Sequence, residues 1–403
     1  LLGEVLHLLN WAIGFRVSTL VTGASMVLIA PILLDLENLA LFYVLYALGA
    51  VIGVFDYGLA SKLFNSGFKK LSLNRRKNIM KSFSHRYLVL AILLPIVIFF
   101  SFSDSISIVE NTLLTLVLAV SLGAHIYYSY LEGNISPGLA YKSRAASEFI
   151  GICCMLFALL SGSGYLSIMG LFCGRVILPV LHFMFYFDSL KEDSISIQPD
   201  PKFAHQLGVT AALGYFGGIG SNLVVNRMFE PIDVASYAQS YMIMATIFSF
   251  SMSVFLYRQN EVKGIFVRLN SLPQLSQYKT KQVMHVSVIF TTLCLAAFII
   301  LSATGHYLDI IKFSNFTYFC AFLVFAPLIN NHICALIFRH NGTERFFGVS
   351  IFGFVGYSAV IISTYFHEDF VIFMILLVIN SVFTNLIVSG RLFKIYLMQR
   401  IYD

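Results

Sequence analysis

The sequence predicts an all-α integral membrane protein with about twelve transmembrane helices, arranged as two parallel six-helix bundles related by a pseudo-two-fold axis along the membrane normal. Three observations predict it. Apolar residues make up 58% of the 403 and charged residues 11%, at a mean hydropathy of +0.82, which is more apolar surface than a water-soluble core of this size can bury. Apolar runs of about twenty residues recur along the whole chain, continuous enough for helices and not the alternating strands of a barrel. Of the 26 Lys and Arg, 22 fall in six stretches that share one face of a membrane crossed in this way.

The spans run in order over residues 8–34, 38–62, 87–102, 111–131, 146–161, 165–187, 206–229, 235–256, 284–302, 316–337, 347–365 and 370–390. The first is too long for a signal-peptide core and carries no small-residue cleavage site, so it is expected to remain as a helix. Between spans two and three lies a long basic loop, 62–86, whose Leu63, Phe64, Phe68, Leu71 and Phe83 fit a helix lying on the membrane surface. Lys142 and Arg144 precede span five. Lys191 and Lys202 lie in the hydrophilic stretch 188–204, the expected linker between an N-terminal bundle, 1–195, and a C-terminal bundle, 196–403. A second long basic loop follows span eight, then Arg339 and Arg345, and the tail carries Arg391, Lys394 and Arg400. The opposite face carries Asp35, Glu37, Asp104, Glu110, Glu230, Asp233, Asp309, Glu368 and Asp369. The positive-inside rule then places both termini in the cytoplasm.

A net charge of +6 spread over six loops reads as topology and attraction to anionic lipid, not as a nucleic-acid surface. The six cysteines lie in apolar spans without metal-ligand spacing, and His125, His182 and His332 are isolated, so neither a metal nor a cofactor is expected. Gly214, Gly217, Gly218 and Gly220 read as close helix packing, since no strand precedes them to make a phosphate loop.

The chain also repeats. A shift of 195 residues lays Leu39 to Tyr43 on Val234 to Ala238 and Tyr46 on Tyr241, and carries loop 62–86 onto the other long basic loop. Six spans per half is an even number, so the halves enter the membrane in the same direction, with an expected cleft between them.

The acidic turn before span two, the run Phe55-Asp56-Tyr57-Gly58-Leu59 into a basic loop, and Pro231-Ile232-Asp233-Val234-Ala235-Ser236-Tyr237-Ala238 before span eight resemble the lipid-linked oligosaccharide flippases that export O-antigen units. Their superfamily also holds the multidrug-and-toxin extruders. The resemblance implies a bacterial inner-membrane transporter that flips an undecaprenyl-diphosphate-linked oligosaccharide by alternating access, amid membrane lipids, coupled to H+ or Na+, and working with a polysaccharide polymerase complex. Two departures stand out. Where the family often carries an acid late in helix seven this chain has Asn226 and Arg227, and the second-half counterpart of Asp56 is Ser251.

Three arginines lie inside apolar spans, and an intramembrane charge is a functional-site candidate by default. Arg16, Arg175 and Arg227 are the expected cationic lining for a diphosphate. For Arg175 a buried structural pair is the competing reading; for Arg16 it is an ion pair with Asp56, which is also the candidate gate or ion-coupling carboxylate. Arg227, near a helix end, reads equally as a side chain reaching the interface. Glu148 is the other carboxylate available for coupling, and its place near the surface argues for it less strongly. Asn222 and Asn226, four apart on one face, with Tyr237, Gln239 and Tyr241, are candidate sugar contacts, as are Asn330 and Asn331; interhelical hydrogen bonding is the alternative for each. Two further functions stay open: a cation-coupled multidrug antiporter, which would favour acidic and aromatic lining, and a membrane polymerase or ligase, which would need a larger outside loop than this chain has.

Overall fold

The computed structural model describes residues 2–50, 105–134, 137–186, 220–244 and 343–402, with scattered residues between these stretches. Every regular element among them is a helix: α1 (Leu2–Leu28), α2 (Ala30–Leu33), α3 (Leu36–Gly49), α4 (Ile108–Asn134), α5 (Pro137–Leu159), α6 (Gly164–Tyr186), α7 (Ser221–Met228), α8 (Thr343–His367) and α9 (Phe370–Tyr402), together with a helical stretch over 231–244. That stretch and α3 begin 195 residues apart, at Pro231 and Leu36, so the internal repeat is matched by local structure.

By contacts the chain separates into two compact units, Leu1–Ala235 and Ser236–Asp403. The sequence places the boundary at residue 195, in a linker that lies outside the described residues. In the structure α7 groups with the first unit because it packs on α3.

Within the first unit, α5 and α6 form the most extensive pair, α1 lies on α5, α4 touches both, and α3 lies on α6. Small residues decide this packing. A Cβ on Gly174 would stand 2.6 Å from the Gly151 Cα, and one on Gly170 would stand 2.9 Å from the Cys154 carbonyl oxygen. The absence of side chains there lets two backbones touch, which is how helices gain dispersion contact in a bilayer that offers no hydrophobic driving force. The α5–α6 turn closes with Gly162 at φ +71, a left-handed conformation that glycine adopts without strain.

Along α4, Leu114, Leu118, Leu122 and Ile126 recur every four residues and are buried, while Leu113, Leu116 and Val120 on other faces are exposed. So much uncovered apolar surface suits lipid, not water. Ile108–Ser129 and Gly164–His182 are each long and apolar enough to cross a bilayer.

The acidic turns have a local cause besides topology. Asp35 accepts from the Asn38 N–H at 2.8 Å, Asp369 from the Val371 N–H at 2.8 Å, and Ser107 with Glu110 forms a reciprocal capping pair, so each satisfies orphan donors at a helix N-terminus. The break between α1 and α2 falls at Ile29, just before Pro31. It is pinned by Tyr43 of α3, whose buried hydroxyl donates to the Met26 carbonyl at 3.0 Å. Tyr43→Phe should therefore lower stability by about 1 kcal/mol, read as a lower melting temperature in detergent.

In the second unit α8 packs against α9, and the Ser381 hydroxyl of α9 donates to the Val324 carbonyl at 2.7 Å. Tyr237, of the helical stretch 231–244, meets Phe373 of α9 edge-on, with ring centroids 5.8 Å apart.

Candidate functional site

Glu148 stands eleven residues from either end of α5, and Arg175 eleven residues from either end of α6. In an antiparallel hairpin with a short turn, equal distances from the turn bring two residues to the same depth. The Gly151–Gly174 approach then brings the two helices within reach of each other.

The two side chains form a forked ion pair. Arg175 donates from Nε to Glu148 Oε2 at 2.8 Å and from Nη2 to Oε1 at 2.6 Å. Oε1 also accepts the Thr22 hydroxyl of α1 at 2.5 Å. Thr22 has a second acceptor in the Ser18 carbonyl at 3.1 Å, and the shorter contact is the one to the carboxylate. From α3, the Tyr46 ring lies with its centroid 5.9 Å from the Arg175 guanidinium carbon, within cation–π range. Four helices thus converge on one charge pair. Glu148 is the buried partner at 8% side-chain exposure and Arg175 the more accessible one at 25%.

Parallel fork geometry of this kind makes the strongest class of protein hydrogen bond and fixes both planes. Such a pair resists disruption, because removing one member strands the other in a poorly solvating environment. It is also formally neutral. One local weakness lies beside it: Pro179 sits within α6 and has no N–H to give the Arg175 carbonyl four residues earlier.

Glu148 is thus buried and paired, and it stands at the centre of its helix instead of near an end. Its helix begins at Pro137, nine residues before the start read from apolar content alone, because Lys142 and Arg144 lie inside the helix and not in a loop. Burial is then imposed by α1 and α6 packing over it.

The other candidates lie on other elements or outside the described residues. Arg227 is exposed in the last turn of α7, where a cation complements the negative end of the helix dipole. Asn222 on the same helix is buried and Asn226 half-buried. Gln239 and Tyr237 are buried in the second unit, with Tyr241 half-buried. Arg16 belongs to α1, but its side chain lies outside the described residues, as do Asp56, Asn330 and Asn331. Among the described residues, no three His, Cys, Asp or Glu converge as a metal site would require. Thr22 is one of four hydroxyl residues in its span and carries no periodic signal, and Tyr46 stands out in the sequence only as the repeat match of Tyr241.

No family model matches this chain, and no curated protein matches it. Solved structures do. A ligand complex of the MATE multidrug transporter DinF-BH superposes with a TM-score of 0.63 at 13% identity, covering 95% of each chain. An inward-facing multidrug-resistance MATE family transporter of the MOP superfamily gives 0.55 at 14% identity over 98% of this chain and 94% of that one. A MATE in the straight conformation gives 0.52 at 14% identity over 98% of this chain and 95% of that one. The fold is therefore that of a multi-pass membrane protein with about twelve helices in two pseudo-symmetric halves.

Proposed function

We propose that this chain is an alternating-access exporter of organic cations driven by a proton gradient, with Glu148 as the coupling carboxylate in place of Asp56. The observation that carries the reading is the neutralisation of Arg175 by Glu148. The expectation of an anionic cargo counts three arginines as net positive charge at membrane depth, and the pair removes one of them from that count. The fold supports the same direction, since the neighbouring structures are multidrug transporters.

A proton suits this carboxylate better than sodium. Oε1 already receives two donors and Oε2 one, so a metal ion would have to displace them. It would also sit beside the guanidinium, where like unit charges about 4 Å apart repel by about 4 kcal/mol at an effective dielectric of about 20. A proton adds no coordination shell and converts Glu148 into a neutral donor, at the cost of leaving the Arg175 guanidinium without its counter-charge. Protonation would free Arg175 and Thr22 together.

A second reading keeps the flippase of lipid-linked oligosaccharides for O-antigen or related lipopolysaccharide. It is favoured by the exposed guanidinium of Arg227 on the helix that also carries Asn222 and Asn226, groups suited to a diphosphate and to sugar hydroxyls. Under either reading the protein sits in the bacterial cytoplasmic membrane with both termini inside and performs no covalent chemistry.

Reconstituted vesicles separate the two. An imposed pH gradient is expected to drive uptake of a cationic dye without sodium, and a sodium gradient alone to drive none. No dye movement under either gradient, with cytoplasm-facing lipid-linked oligosaccharide accumulating in cells that lack the protein, would overturn the first reading and establish the second.

A further inference from the structure

A proton on Glu148 needs an acceptor for its hydrogen bond, and the neighbours of the carboxylate limit where that bond can go. Arg175 cannot receive it, since a guanidinium carries only donors. Among the described residues, the one hydrogen-bonded neighbour of Glu148 that can also accept is Thr22, whose Oγ1 stands 2.5 Å from Oε1. Oε2 meets only the Arg175 Nε. Thr22 is 1% exposed, so water does not substitute for it at this contact.

Thr22 also has the second partner that a reversal of this bond requires. Its hydroxyl lies 3.1 Å from the Ser18 carbonyl, one turn earlier in α1. With Glu148 charged, the single Thr22 hydrogen points at Oε1. With Glu148 neutral, that hydrogen turns to Ser18 and the acid O–H donates to Oγ1 in its place. Each state leaves every hydroxyl hydrogen with an acceptor, as buried polar groups require. The charged state gains more, because its contact is charge-assisted and lies at the short end of the range for such bonds.

The other charged and titratable groups around the carboxylate have their own places. From α6 comes Arg175 itself, and from α3 Tyr46, which lies against the guanidinium. On α5, Arg144 precedes Glu148 by about one turn, and its guanidinium carbon lies 5.4 to 6.0 Å from the ring centroids of Tyr128, Tyr141 and Phe15. Arg16 lies six residues before Thr22 on α1, with its side chain outside the described residues. Among the described residues, α4 brings neither a hydrogen bond nor an ion pair to Glu148.

We propose that Thr22 is the proton-positioning residue of this site: it directs the proton to Oε1 and sets the pH at which Glu148 takes it up. The inference rests on the reading of Glu148 as the coupling carboxylate. The proton comes from water, adds to a lone pair of Oε1 and neutralises the carboxylate, while the Thr22 hydrogen turns to Ser18; no covalent bond within the protein breaks. Because Thr22 favours the charged form, it holds the uptake pH down, and its loss moves uptake to higher pH.

The test is a pH titration of the purified full chain followed by infrared spectroscopy, reading the carboxylic-acid carbonyl band that Glu148→Gln removes. Thr22→Val, nearly the same shape without the hydroxyl, is expected to raise the midpoint by about one pH unit, a tenfold gain in proton affinity. The band should also move to higher wavenumber, as the acid loses its acceptor. Thr22→Ser should keep the wild-type midpoint and band. A midpoint that stays or falls in Thr22→Val, or a band that does not move, overturns the proposal and leaves Thr22 a structural tie; if that variant does not fold, Thr22→Ala answers the same question. Failure of the coupling reading shows separately, as pH-driven dye export by Glu148→Gln, whatever the titration reports.

Discussion

Replacing Gly174 with leucine should abolish accumulation of folded protein, and replacing it with alanine should cost about 3 kcal/mol, the upper part of the usual range for overpacking. A Cβ at this position would stand 2.6 Å from the Gly151 Cα, 2.7 Å from its nitrogen and 2.9 Å from the Ile150 carbonyl carbon. All three are backbone atoms of α5, so no side chain can rotate away and the two helices must separate. The sign is opposite to what helix propensity alone gives, since Gly→Ala within a helix ordinarily gains about 1 kcal/mol. Gly14 in α1 supplies the control, because a Cβ there meets nothing within 4 Å. Gly14→Ala is expected to raise the melting temperature in detergent while Gly174→Ala lowers it. Equal responses at the two positions would show that the α5–α6 seam does not depend on backbone contact. Separation of the helices also pulls Arg175 from Glu148, so Gly174→Ala should lose transport further than its stability loss explains.

The fold was legible because a bilayer simplifies the code. Backbone groups in hydrocarbon must pair within their own segment, so apolar length alone marks the helices, and the basic loops order them. The repeat was legible in short residue matches, and the common start of α3 and of the stretch 231–244 gives it a local counterpart. The site was only half legible. Arg175 stood out as a costly charge at mid-span, with a buried pair as one of two readings. Its partner was misjudged, because apolar content places the start of span five at residue 146 and so puts Glu148 near an end. The helix begins at Pro137, through a polar turn carrying Lys142 and Arg144, and Glu148 is at its centre. Hairpin arithmetic around Gly162 would have matched the two residues in depth. Which faces meet depends on where glycines let the backbones approach, and Thr22 enters only because α1 lies on α5. Such contacts between distant spans leave no trace in composition or periodicity.

Glu148→Gln is the sharpest test of the pair, because it keeps shape and hydrogen-bonding reach and removes only the charge. The variant fixes the state that protonation would reach. It is expected to fold, to exchange dye across the membrane in both directions, and to lose uphill export under a pH gradient. Its stability should fall as well, since the guanidinium keeps its place on α6 without a counter-charge; breaking one side of a buried ion pair costs about 3 to 5 kcal/mol. Exposure of the Arg175 side chain at 25% lets some water reach it, which places the expected loss toward the lower figure. Removing the stranded charge reverses much of that loss. Glu148→Gln combined with Arg175→Leu should melt above Glu148→Gln alone, so that the double variant loses less than the two single variants together. Transport follows a different rule, because a neutral pair of any kind has no proton to carry, and the double variant should stay as uncoupled as the single one. A stability cycle that recovers while coupling does not would separate the structural role of the pair from its role in energy transfer. Wild-type, pH-driven export by Glu148→Gln would leave the pair a purely structural tie among α1, α5 and α6 and move coupling to another carboxylate.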